Sequence, residues 1–353
     1  MSRMFSELIR GSRRISRDEF ASNFGGVAED VMEMLDGEQA RQVVREARAA
    51  MEQARPLRDG TPRLQMLPFG HFNMAPELER GLVAAVDGTH ALPLQLYSAG
   101  QALCVGVGSL SHRRPMRDSI HYWSSRAYLE QSRDSDEHIA RQQHGQFSIS
   151  QAAYLSYFMV RHGLEISEPY LFFGGTLISE WLTATNEGLA LYAELFASGK
   201  KAVGVMKSLK VDALFARFAR ALGPGELFIV ETLADQLRRG LPAGARAGEM
   251  RRFVRDSFVE RTARKILRGV FRPAKKAFAF EVHEEHLTDM LRILAADCQL
   301  NYVGREVPYL LNRVHEEVRG SFRPGILRDR IAARLARQSE ELFLEESDNR
   351  LFP

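Results

Sequence analysis

Cysteine is nearly absent from this chain. Cys104 and Cys298 are the only two in 353 residues, too few for a disulfide framework or a four-cysteine structural zinc. Lysine is almost as scarce: seven of the 48 basic residues, all between positions 200 and 276, leaving 41 arginines. Arginine suits bidentate phosphate contacts, although GC-rich coding produces the same bias. No apolar run approaches the roughly 18 residues of a membrane-spanning helix. The opening stretch, MSRMFSELIRGSRR, lacks the apolar core of a secretory signal. A reducing, cytoplasmic setting without membrane contact is therefore expected. Repeats and low-complexity stretches are missing too.

What is there is ordinary globular material, 45% hydrophobic and 26% charged, enough for one to three domains with a real core. Residues 1–57 read as helical, rich in Ala, Glu, Arg and Met, with Val43, Val44, Ala47, Ala50 and Met51 on one face of 38–53. The turn signal Arg58-Asp59-Gly60-Thr61-Pro62 follows, then an irregular stretch at 64–73. Beyond residue 80 the pattern changes. Short apolar runs at 82–86 and 101–107 read as a hairpin or adjacent strands, and 111–145 as a polar surface excursion. Helix at 148–164, strand at 169–173, helix at 180–198 and strand at 202–206 alternate, which predicts an α/β core with a mixed sheet. Further strands are expected at 226–232 and 277–282, helices at 286–298 and 309–318, and a charged terminal helix at 326–343.

Three groups of residues could carry chemistry. Asp87 follows an apolar strand and precedes Gly88-Thr89. A strand end holds a carboxylate rigidly and exposes it, and paired carboxylates hold Mg²⁺ or Mn²⁺ for phosphodiester hydrolysis. A lone Asp-Gly is more often just a turn. His315, in NRVHEEV on a predicted helix, fits a metal ligand or proton shuttle as well as a surface histidine. The third group is electrostatic. Residues 238–276 hold 13 basic residues against Glu249, Asp256 and Glu260. Arg251, Arg252, Arg255, Arg261, Arg264, Lys265 and Arg268 recur at helical spacing opposite Phe253, Val254, Phe258 and Ile266. That is the footprint expected for a phosphate backbone; an acidic protein partner would fit the same stripe.

Two motifs are excluded. His283-Glu284-Glu285-His286 is one residue short of a zinc-protease HExxH. Val105-Gly106-Val107-Gly108 lacks the third glycine of a dinucleotide loop and the Lys-Ser/Thr of a phosphate loop.

Four stretches, in order, together resemble the NurA family of DNA-end-processing nucleases. VAAVDGT (83–89) is similar to the family's first strand with its Asp-Gly-Ser/Thr. YLFFGGTL (170–177) is similar to its second acidic motif. KAVGVMKSLK (201–210) is similar to its Gly-Val-x-Lys strand, and GREVPYLLNRVHEEV (304–318) to its C-terminal histidine segment. The resemblance covers roughly residues 80–320. It implies an RNase H-like mixed β-sheet flanked by helices at 81–325. An N-terminal helical extension at 1–80 precedes it, and a C-terminal helix with an acidic tail at 326–353 follows. It also implies a homodimeric, Mn²⁺- or Mg²⁺-dependent DNA nuclease working beside a hexameric HerA-type ATPase, in DNA repair or antiphage defence. Asp87 and His315 would be metal ligands, and Lys207 a phosphate contact.

The chain departs from that pattern in two places. The second motif's metal-binding aspartate falls on Gly174, and the helix at 148–164, which carries a glutamate in the family, holds no acidic residue before Glu165. Either other acids substitute, with Glu165, Glu168, Glu180 and Glu281 as candidates, or the chain is a degenerate member that binds DNA and the ATPase without cleaving, or the glycine alone interrupts an otherwise working site.

Overall fold

The computed structural model describes residues 37–57, 60–67, 75–90, 94–96, 100–113, 120–127, 152–207, 209, 213–239, 257–300, 308–323 and a few positions between 325 and 334. The chain divides into two compact units, residues 1–53 and 54–353. The described part of the first is one helix, α1 (Glu38–Glu52). Arg48 and Glu52 pair at 2.7 Å one turn apart on its surface, and Ala47 and Met51, also one turn apart, are buried.

The second unit is a single sheet of ten strands among the described residues: β1 (Leu64–Met66), β2 (Val83–His90), β3 (Leu94–Leu96), β4 (Gly100–Ser111), β5 (Ile120–Ala127), β6 (Tyr170–Gly174), β7 (Lys201–Met206), β8 (Glu226–Thr232), β9 (Ile266–Phe271) and β10 (Phe278–His283). The helices are α2 (Pro76–Glu79), α3 (residues 152–165), α4 (Asn186–Ala197), α5 (Ala213–Ala221), α6 (Leu233–Arg239), α7 (Leu287–Gln299) and α8 (Tyr309–Phe322).

The strands run in the order β5-β4-β2-β6-β7-β10-β9-β8-β1. Strand β4 is antiparallel to β2 and β5. Strands β2, β6 and β7 are parallel neighbours, joined in sequence through α3 and α4. Strand β3 pairs with the Gly100–Ala102 end of β4, on the side where β2 pairs further along. The five strands β5-β4-β2-β6-β7, with helices between the parallel ones, form the RNase H-like arrangement expected from the sequence. Four antiparallel strands widen it beyond β7.

Alternating side chains divide the core into two layers, as period-two strands must. Val83, Ala85, Phe172, Val203, Val205, Phe280 and Val282 pack with Met290 and Leu294 of α7 and Leu311 and Val314 of α8. Ala84, Val86, Leu171 and Phe173 face the other way, against Val160 of α3, Tyr192 and Leu195 of α4 and Ala234 of α6. Helix α4 begins at Thr185, whose hydroxyl accepts from Gly188 N at 3.0 Å, the N-cap that satisfies a first-turn amide. Among the described residues no helix is long and apolar enough to cross a membrane.

Four sequence expectations change. Strand β2 does not stop at Asp87 but runs on through Gly88 and Thr89 to His90, paired with β4. The stretch at 64–73 read as irregular holds β1. The surface excursion at 111–145 contains β5, which forms an eight-residue ladder with β4. The stripe read as helical over Arg264, Lys265 and Arg268 is instead a 3-10 turn at Ala263–Lys265 running into β9, whose six residues are all buried. Residues 1–36 and most of 326–343 lie outside the described residues.

Candidate functional site

The ladder between β2 and β6 ends at Val86 and Phe173. The next residues on the two strands are Asp87 and Gly174. Asp87 follows Val83 and Ala85 at period two, Gly174 follows Phe172, and Lys207 follows Val203 and Val205. All three therefore sit on the face covered by α8, toward the C-terminal ends of three parallel strands. Sheets of this kind open their crevices at those ends.

Helix α8 closes the site from above. It starts after Pro308, the residue type best tolerated at a helix start. Its buried stripe is Leu310, Leu311, Val314 and Val318. Its last turn reaches β4, where a Cβ at Gly106 would stand 2.8 Å from the Phe322 ring. His315, one residue beyond Val314, comes down on Asp87. The structure thus joins three of the sequence-derived candidates. Asp87 Oδ2 accepts from Lys207 Nζ at 3.0 Å and meets His315 Nδ1 at 3.1 Å. Asp87 Oδ1 accepts from Gly88 N at 2.8 Å. Lys207 Nζ also donates to Leu311 O at 3.1 Å. With a carboxylate as its partner, His315 Nδ1 is the nitrogen that donates.

Asp87 is 6% exposed. Burial alone would raise its pKa, but the His315 hydrogen bond and the charge and hydrogen bond of Lys207 together hold the carboxyl below its ordinary value. It is a desolvated, ionised carboxylate with both oxygens engaged.

A divalent metal fits this donor set poorly. One carboxylate is present, and its oxygens already accept from N–H groups. The facing residue is Gly174, which has no ligand atom, and a Cβ there would stand 2.4–2.8 Å from the Asp87 carboxylate atoms. A cation brought to Asp87 would also meet the Lys207 ammonium, a repulsion of several kcal/mol at an effective dielectric of about 20. Among the described residues no group of three or more His, Cys, Asp or Glu is arranged to hold a metal ion.

The substitute acids lie elsewhere. Glu281 points to the opposite face, where it accepts from Arg268 Nε at 2.9 Å and from Ile178 N at 3.1 Å. Glu168 is buried before β6 and accepts from Ser111 Oγ at 3.1 Å, six residues upstream of Gly174 and so about 20 Å along the strand. Glu165 pairs with Arg161 on the surface of α3. Glu180 lies in the connection between β6 and α4.

Of the basic stripe, Arg251, Arg252 and Arg255 fall outside the described residues. Arg264 pairs with Glu260, and Lys265 lies 3.9 Å from Glu285, both partners well exposed. Arg268 differs from the expectation. It is 4% exposed inside β9, between Glu231 and Glu281, with its guanidinium 5.0 Å from the Phe215 ring centroid. It cannot reach a phosphate without taking the cation they share from two buried carboxylates.

Sequence reasoning missed Asp297. This fully buried residue of α7 accepts from Leu310 N at 3.1 Å and from the Tyr309 amide, so a carboxylate caps the helix that carries His315. Burial pushes its carboxyl up to about 7 despite those bonds. Its partners are backbone amides, which leave no mark in a sequence.

No family model matches the chain, and no curated protein matches it in sequence. Among solved structures it is similar to the NurA nuclease from Sulfolobus solfataricus, with a TM-score of 0.49 at 10% identity, covering 92% of this chain and 99% of that one. A NurA bound to dAMP and manganese gives a TM-score of 0.43 at 8% identity, over 86% of this chain and 94% of that one. The endonuclease V of Bacillus subtilis gives 0.35 at 10% identity, over 83% and 95%.

Proposed function

We propose that this protein is a NurA-like subunit that binds DNA and a hexameric HerA-type ATPase without cleaving, a nuclease scaffold kept for guiding DNA. The observation that carries the reading is Gly174 facing Asp87, with the carboxylate leaning into the space a second ligand would need. The DNA partner is supported by the excess of ten positive charges over residues 238–276, with Arg251, Arg252, Arg255, Arg264 and Lys265 as the contacts. The ATPase and the homodimer follow from the family resemblance of the four motifs.

The test is equilibrium binding to linear single- and double-stranded DNA over a range of salt, with cleavage followed in Mn²⁺ with and without the ATPase. Binding that weakens steeply with salt, falls on replacing Arg251, Arg252 and Arg255 with alanine, and gives no product is the expected result. DNA cleavage that Asp87→Ala abolishes would return the active nuclease. Absence of DNA binding in low salt would refute both readings and leave the acidic protein partner.

A further inference from the structure

We infer that Lys207 is the resident cation of this site, where the donor set does not fit a metal ion, and that the Asp87–Lys207–His315 triad clamps α8 to the parallel strands. This goes beyond the DNA-binding reading and stands without it.

The geometry ties three elements through one ammonium and one carboxylate. Lys207 follows β7, reaches Asp87 of β2 at 3.0 Å and reaches the Leu311 carbonyl of α8 at 3.1 Å. Asp87 in turn holds His315, one turn further along α8. The helix is thus gripped by its backbone and by a side chain four residues apart, on the side where Leu311 and Val314 bury. An apolar stripe alone tolerates sliding and rotation. Two directed hydrogen bonds do not, because any other register takes His315 off the Asp87 carboxylate and the Leu311 carbonyl off the Lys207 ammonium. Turning α8 by one residue moves His315 through about 100° and off the carboxylate.

Gly174 makes the clamp sterically feasible. Its missing Cβ is the room into which the Asp87 carboxylate leans. The pair is also shielded, with side chains 26% exposed for Lys207 and 9% for Asp87, unlike surface pairs that water screens to little effect. Of the roughly four lone-pair sites on the carboxylate, three already accept N–H groups, which leaves about one for a cation.

The test uses the full chain and reads thermal unfolding together with Mn²⁺ binding by loss of the free-ion electron paramagnetic resonance signal. The native protein should take up no Mn²⁺ at millimolar concentration and should unfold at the same temperature in Mn²⁺ and in EDTA. Asp87→Ala and Lys207→Met should each lower that temperature by roughly 4–8 °C, as for breaking a buried pair. In Asp87→Ala, added formate should recover part of the loss by standing in for the missing carboxylate, while chloride at equal ionic strength should not. Should Asp87→Ala fail to fold, amide exchange over residues 311–318 in Lys207→Met gives the same reading: faster exchange there than in α7 supports the clamp. Stoichiometric Mn²⁺ uptake by the native protein, an unchanged unfolding temperature in both variants, or unchanged exchange in α8 would each overturn it. Because none of these readouts involves DNA, failure of the clamp and failure of the DNA-binding reading are separately visible.

Discussion

The Asp87 carboxylate fills the space that a side chain at Gly174 would occupy, with Oδ1 2.4 Å from where a Cβ would stand. The two positions are adjacent across the end of a parallel ladder, so they cannot both carry carboxylates without one moving.

Gly174→Asp is therefore expected to push Asp87 off Lys207 and set two negative charges face to face. In EDTA the variant should lose about 1–3 kcal/mol, the usual cost of overfilling a packed position. Mn²⁺ should then restore it, because two facing carboxylates make an oxygen site for a hard cation. Unfolding followed with and without Mn²⁺ measures this; a variant as indifferent to Mn²⁺ as the native chain would count against the geometry.

Asp87 also sets an acid limit. Its folded carboxyl titrates below the ordinary value of 3.8. Its contribution is therefore complete above that value and is lost as pH falls through the lower, folded one. Denaturant titrations of native protein and Asp87→Asn should differ by a constant amount near neutrality and converge in acid. A gap that persists at the lowest pH would mean that Asp87 contributes through packing.

Asp297 acts with the opposite sign. Its folded value is raised to about 7, so its contribution is complete below 3.8 and declines as pH rises through 7. Over that span the native protein should lose stability relative to Asp297→Asn, by at most roughly 4 kcal/mol at one pKa unit per 1.36 kcal/mol. A flat difference between native and Asp297→Asn across this range would refute the raised value.

Arg268→Ala should cost about 3–5 kcal/mol, because Glu231 and Glu281 lose their shared cation inside the sheet. The affinity of the folded variant for DNA should match the native value. Urea unfolding and a binding isotherm on the same preparation separate the two effects, and a weakened isotherm with stability intact would place Arg268 at the DNA after all.

The strands that build the site were legible because each contains a short apolar run: VAAV before Asp87, YLFF before Gly174, AVGVM before Lys207. The Asp-Gly-Thr that reads as a turn after the first run is strand, paired with β4 as far as His90. Strand β5, IHYWSSRA, was not, because half of its residues are polar and no apolar run longer than two marks it. Strand β9 was misread because Arg264, Lys265 and Arg268 happen to repeat at helical spacing while Ile266, Leu267 and Val270 carry the strand. The approach of His315 to Asp87 spans 228 residues. Periodicity contains no information over that distance, and only the order of motifs suggested it.

That same span has a consequence for how the protein comes into being. Ribosomes deliver β2, β6 and β7 long before α8, and contacts this distant in sequence form late. Until residue 309 onward has emerged, the growing polypeptide carries Asp87 and Lys207 on strands whose apolar face α7 covers in part and Leu311, Val314 and Val318 later complete. Helix α8 thus also covers apolar surface that the nascent chain leaves open, and a translation pause ahead of it is the moment at which a holding chaperone has something to hold.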